Sequence, residues 1–516
     1  MISTIADELR ASTSNQLKNV NFISIMIDGA TDRSVSENEV VFVRLVEDGT
    51  PVNKLVSLCE AELHMLMAID KSFKSIEFES YRDKIIGFCA DGASVNLGQS
   101  NGVVAKLREK IPHVIDIHCM AHRLELSVLQ IKNKNTLIKK LNDVLHLIWK
   151  TYKYSGKSLR ELKTIGEELE ARIYASAPVK GTRWLPHIDR AIKTFIEGKG
   201  DGTVSGLIEN ASQYGVIHSH MEHLGESSTN ADIQGRGKFV SKEMKSLCFV
   251  SLVHFMADVF GVLAKMSLKF QKGDIILPTA VLSVRDTCVI LEEMKTEPIR
   301  ESSMLSIFFE ALNVQIEHGN SEIKFQGLTL IPDHGISWSS YKNDIQAKFS
   351  PILTLIISEI RKRFDNLLGA NKDEQAVKVI NAFSVFNHDT WQDSNRELIH
   401  FGNDLLEILV EHFHFALERA GCDFNLLNSE WRQLKLLVGN EFSRKSYNSV
   451  WKTECERGFS AQKRIKSDIR SSLSISRLSD LIFISTEGPE IESFQPESAV
   501  SRWMASGKRR PCAKPE

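Results

Sequence analysis

Asp28 and Asp91 each close a short apolar run and each is followed by glycine. The two runs read Phe22-Ile23-Ser24-Ile25-Met26-Ile27-Asp28-Gly29 and Ile85-Ile86-Gly87-Phe88-Cys89-Ala90-Asp91-Gly92. A carboxylate at the end of a buried strand is held with its head at the sheet's edge, where ligands bind in open α/β sheets. Two such groups on neighbouring strands, joined by a third acid, can hold two Mg²⁺ ions about 3.5–4 Å apart. One ion then activates the attacking oxygen and the other steadies the leaving oxygen of a phosphodiester. The same Asp-Gly pairs serve equally well as caps of the turns that follow them, so both uses stay open on these residues alone.

Other residues carry weaker chemistry. Cys119 and His122 have the CxxH spacing of half a zinc site, but no second pair at standard spacing follows, which favours a structural role. His218, His220 and His223 cluster without nearby Cys or carboxylate partners, as expected of a solvated loop or helix end. Arg361, Lys362 and Arg363 fall on the polar side of an amphipathic helix, where a solvated face is the default and DNA contact the minority reading. Lys508-Arg509-Arg510 is a short basic cluster of the kind that can serve nuclear import.

The elements that must position these groups have two textures. From Phe22 to about Ile117 the pattern is strand-rich. The β-branched run Val40–Val46 is followed by Asp48-Gly49, a hairpin turn, and by a third run around Val56. A helix over about 62–80, the strand 85–90, a helix over 101–110 and a brief strand over 114–117 complete an α/β sheet with acids at strand ends. From about 119 to 440 the chain reads as almost wholly helical. Met244, Leu247, Cys248, Leu252, Phe255, Val259, Val262 and Met266 recur at steps of three and four, as on one buried helix face. Ser350-Pro351 predicts an N-cap and a first-turn proline opening a helix that carries Ile352, Ile356 and Ile360. Residues 198–237, rich in Gly, Ser and Asn, read as the main internal loop.

Composition narrows the partners. The chain has 516 residues, enough for two to four folding units, and its 64 Lys plus Arg nearly balance 66 Asp plus Glu. A net charge of −2 gives no global attraction to a polyanion, so any nucleic-acid surface must be local. The eight cysteines show no CxxC pair and read as reduced thiols of an intracellular protein. No signal-peptide h-region opens the chain, and the apolar runs look too short and interrupted to span a bilayer.

Five blocks, in order, resemble those of hAT transposases and their domesticated zinc-finger relatives. They are Asp28-Gly29-Ala30-Thr31-Asp32, Asp91-Gly92-Ala93-Ser94-Val95-Asn96, His118-Cys119-Met120-Ala121-His122-Arg123-Leu124, Thr182-Arg183-Trp184-Leu185-Pro186-His187 and Cys455-Glu456-Arg457-Gly458-Phe459-Ser460. The last is followed by Arg470, Leu473 and Leu478-Ser479-Asp480-Leu481, similar to the family's C-terminal dimerisation block. The resemblance implies an α/β RNase H-like core interrupted by a long all-α insertion and closed by a C-terminal helical dimerisation region. The expected divisions are 1–135, first part of the core; 136–440, helical insertion; 441–490, final helix and dimerisation region; and 491–516, basic tail. It implies a metal-binding catalytic triad of Asp28, Asp91 and Glu456, with Glu454 as the competing acid, using Mg²⁺ or Mn²⁺ for hydrolysis and strand transfer of DNA phosphodiesters. Arg183 would hold a phosphate while Trp184 stacks on a base, although Trp184 also suits a core position at the start of a helix over 184–197.

The family's mobile members carry a zinc-binding DNA-recognition domain ahead of the core, and here Asp28 is reached with no Cys/His module before it. A truncated or domesticated derivative is therefore expected, with self-association through the C-terminal region, possible DNA contact, no membrane and a nuclear location. The alternative is a non-catalytic nuclear dimerising protein acting in transcriptional regulation or as a SUMO E3 ligase-like adaptor, since the stretch from Leu481 to Trp503 resembles such domesticated members.

Overall fold

The computed structural model describes residues 2–31, 37–47, 50–60, 65–98, 102–169, 171, 173–174, 176, 184–196, 212–271, 277–297, 300–368, 375–386, 391, 395–441, 480–481, 483–484, 487, 489, 493–494 and 497–505. They fall into two compact units, one of residues 1–123, 269–281 and 369–516, the other of 124–268 and 282–368.

The sheet unit opens with a helix, α1 (Ile2–Asn19), followed by β1 (Ile23–Thr31), β2 (Glu37–Glu47) and β3 (Thr50–Glu60). α2 (Met65–Ser75), β4 (Ile85–Ala90), α3 (Ser94–Leu97), α4 (Val103–Arg108) and β5 (Ile115–His118) follow. The five strands form one mixed sheet in the order β3-β2-β1-β4-β5. β1, β2 and β3 pair antiparallel, with Glu47 opposite Thr50 across the residues expected to make the hairpin, and β4 runs parallel to both β1 and β5. The helix expected over 62–80 is shorter: α2 ends at Ser75, and a 3-10 turn over Glu79–Lys84 leads into β4.

One sheet face carries Ile23, Ile25, Ile27, Val41, Val43 and Val56, which pack with Met65, Ala68, Ile69 and Phe73 of α2. Those four helix positions recur at three- and four-residue steps, so α2 presents a single stripe to the β-branched surface. Phe73 stacks on Tyr81 with ring centroids 3.9 Å apart. Lys84 donates to the carbonyls of Leu17, Lys18 and Val20 at 3.2, 2.7 and 2.6 Å, covering the open carbonyl end of α1 at the entry to β4.

Chain from the far end completes this unit. The Glu487 carboxylate accepts from Leu55 N–H at 2.7 Å, Arg10 pairs with Asp480 at 2.8 Å, and Phe483 is fully buried beneath the Arg10 guanidinium. Residues 497–505, expected to lie in a basic tail, form a helix whose Arg502 pairs with Glu8 of α1 at 3.2 Å. Lys435, in the helix Phe424–Glu441, donates to Ile399 O and Phe401 O at 2.8 Å each and so covers the end of the helix Asn395–His400.

Among the described residues the second unit is helical apart from a short hairpin, Lys324–Phe325 with Leu328–Thr329. Three of its helix N-termini are covered by acids distant in sequence. Glu125 accepts from Leu185 N–H, Asp258 from Met304 and Leu305, and Asp333 from Cys248, all between 2.8 and 3.1 Å. Such caps satisfy amides that have no partner within their own helix.

Several expectations change in this unit. The proposed loop 198–237 contains the start of two helices, Gln213–Ser227 and Ala231–Met244. The apolar stripe from Met244 to Met266 is split between Ala231–Met244 and Leu247–Phe270, where Ser246 forms a bridge with Ile331. Pro351 opens no helix but lies inside Tyr341–Arg363, because Tyr341, Ile345 and Phe349 extend the buried stripe upstream of Ile352. Packing of that stripe overrides the proline penalty. His218 and His220 are core residues, not solvated ones: both are buried, and His220 lies between the Tyr152 hydroxyl at 3.1 Å and Glu161 at 3.4 Å. Leu247–Phe270 is long and apolar enough to cross a membrane, contrary to the reading of short interrupted runs, but 78% of its most apolar window is buried in the fold. That surface is already used by protein packing, and no membrane is implied.

Candidate functional site

Ser24, Ile25 and Met26 of β1 stand opposite Gly87, Phe88 and Cys89 of β4 in parallel register. Two residues beyond the last of these pairs come Asp28 and Asp91. The register therefore places Asp28 of β1 and Asp91, the residue after β4, at a corresponding level at the carboxyl ends of these strands, where open α/β sheets bind ligands. Both are half-buried.

Asp91 caps its own turn. One carboxylate oxygen, Oδ1, accepts from Ala93 N–H at 3.1 Å and from the Asn96 amide at 2.8 Å, while Oδ2 takes part in neither bond. The turn-cap use therefore engages one of the two carboxylate oxygens. Asp28 sits opposite Val40 of β2, and its charge reaches two thiols of the same region. Burial pushes Cys89 up to about 12 and Asp28 adds to it, with Arg123 and Arg44 opposing. Cys119 is pushed up further, first by burial and then by Cys89, against the backbone amides of His122 and Ala121.

The last residue of β5, His118, pairs with Ala90, and Cys119 N–H donates to Ala90 O at 2.8 Å. Cys119 directly precedes the helix α5 (Met120–Lys134), in which His122 falls, and the rings of His118 and His122 lie 5.5 Å apart. No group of three or more His, Cys, Asp or Glu arranged to hold a metal occurs among the described residues.

Glu456, its competitor Glu454, and Arg183 lie outside the described residues. Trp184 is the first residue of the helix Trp184–Ile196, and its side chain lies outside them too. Of the expected triad, the described residues include Asp28 and Asp91. Arg361 forms an ion pair with Glu292 at 3.4 Å.

Three residues near the acids were not singled out from sequence. Glu39 pairs across β1/β2 with Gly29, and a β carbon on Gly29 would meet its carboxylate at 2.8 Å. The His118 ring packs on Gly92 in the same manner. Asn96 binds Asp91. Only Asn96, in the short helix α3 that follows the acid, had a local signal, the polar stretch after Asp91. Glu39 and His118 depend on strand register.

A separate cavity of about 510 Å³ in the sheet unit is lined by Phe22, Ile86, Leu406, Phe413, Leu417 and Trp431 among others. Phe22 precedes β1 and Ile86 lies near the start of β4, so the cavity is at the opposite strand ends from the acids. No protein-family model matches the chain.

Proposed function

We propose that this chain is a hAT transposase-derived protein with an RNase H-like core, whose Asp28, Asp91 and Glu456 serve metal-dependent cleavage and strand transfer of DNA phosphodiesters. The observation that carries this reading is the parallel β1/β4 register, which levels Asp28 with Asp91 across a separation that sequence alone could not bridge. The order of three antiparallel strands followed by two parallel ones supports the RNase H-like assignment.

The donor set fits a hard cation. Carboxylate oxygens at adjacent strand ends suit a hard cation such as Mg²⁺ or Mn²⁺. Bound there, the ion would supply Lewis-acid stabilisation of phosphodiester oxygens and an activated water. Asp28 is fixed by pairing on both sides of β1, and Asp91 by its two hydrogen bonds at Oδ1, which leaves Oδ2 to face a ligand. Arg183 and Trp184 are assigned to phosphate holding and base stacking, and the protein to the nucleus. The test is nicking of supercoiled plasmid in Mn²⁺. The full chain should nick, and Asp28→Asn should abolish it; a variant that nicks at the parent rate removes the assignment.

A second reading, a non-catalytic nuclear dimerising protein acting in transcriptional regulation or as a SUMO E3 ligase-like adaptor, is favoured by the capping bonds that already occupy Asp91 Oδ1. Sedimentation at micromolar concentration checks its dimer, and a clean monomer would remove it.

A further inference from the structure

Asn96 is 7% exposed, and its side chain is asymmetric in its bonding. The amide nitrogen donates to Asp91 Oδ1 at 2.8 Å, whereas the amide oxygen is buried and has no hydrogen-bond partner among the described residues. A buried acceptor left this way is costly, and native folds rarely keep one without a use. The backbone fixes its position: Asn96 N–H donates to Ala93 O at 3.0 Å, Gly102 N–H donates to Gly98 O at 3.1 Å, and a β carbon on Gly102 would lie 3.0 Å from Asn96 O. Because both amide atoms sit on one carbon, the open oxygen stays beside the carboxylate that its nitrogen holds.

We infer that Asn96 is a positioning residue of the carboxylate pair, its amide nitrogen orienting Asp91 and its buried amide oxygen supplying a further oxygen donor to a divalent cation held there. This rests on the metal-dependent reading of Asp28 and Asp91. Side-chain amide oxygens join carboxylates around hard cations, and the groups that orient a ligating carboxylate contribute to affinity alongside the ligands themselves. A capping role alone would use only the nitrogen.

The test is calorimetric titration of the full chain with MnCl₂, comparing parent, Asn96→Leu and Asn96→Asp, with circular dichroism to follow folding. Asn96→Leu keeps the approximate shape and removes both polar atoms, and should weaken Mn²⁺ binding about 10- to 100-fold. Asn96→Asp keeps an oxygen at the site and adds charge, and should bind Mn²⁺ at the parent affinity or tighter. Parent-like binding by Asn96→Leu overturns the inference. Should Asn96→Leu fail to fold, Asn96→Asp decides: parent-like or tighter binding supports the donor role, and a loss of tenfold or more overturns it. A parent protein that binds no Mn²⁺ overturns the metal-dependent reading itself, a result distinct from parent-like binding in the variant.

Discussion

Substituting Gly92 by alanine tests whether the loop after β4 is held by contact with His118. A β carbon at Gly92 would lie 2.4 Å from Cε1, 2.8 Å from Nε2 and 3.0 Å from Nδ1 of the ring. Carbon contacts are favourable only at about 3.5–4.0 Å, so the ring must move. Its freedom is limited because His118 is paired to Ala90 on β4 and its ring faces that of His122. Gly92 has no positive φ, so the contact rather than backbone strain sets the cost. Overpacking of this kind costs about 1–3 kcal/mol, and the restricted unfolded chain returns about 0.4–1 kcal/mol. A net loss of about 1–2 kcal/mol is expected. Urea unfolding followed by circular dichroism measures it in two backgrounds, the parent and His118→Ala. With the ring removed, the same Gly92→Ala change should cost nothing or stabilise slightly. An equal cost in both backgrounds would refute the contact as the cause.

Burial holds His218 and His254 near pKa 4, against about 6.5 in an unfolded chain. Between these values the unfolded state binds more protons, so stability is full above pH 6.5 and falls as pH drops toward 4, by about 1.4 kcal/mol per pH unit for each histidine. Urea midpoints at pH 7.5 and pH 5 should show this loss, and His218→Gln should reduce it; a pH-independent midpoint contradicts the burial. Asp258→Ala strips the cap from Met304 and Leu305 and should cost about 0.5–2 kcal/mol by the same method. Phe483→Ala should cost about 3–5 kcal/mol because its ring is fully buried, and an unchanged urea midpoint would contradict that burial.

What the sequence determined by itself was local. The β-branched run 40–46, the apolar runs before Asp28 and Asp91 and the Asp-Gly pairs after them follow from side-chain shape and turn chemistry, which act over a few residues. Helical character after residue 119 followed from three- and four-residue spacing for the same reason. What lay beyond that reach was decided by partners. The pairing of β1 with β4 brings Asp28 beside Asp91 because hydrogen bonds and a shared core select the register, and no local pattern encodes it. His218 and His220 read as solvated by composition, yet neighbouring helices bury them and Tyr152 and Glu161 meet the polar atoms of His220. Pro351 reads as a helix start, yet Tyr341, Ile345 and Phe349 bury a stripe that carries the helix through it. In each case the backbone preference is worth a few kcal/mol at most, and burial of several apolar side chains at about 1.5–3 kcal/mol each outweighs it.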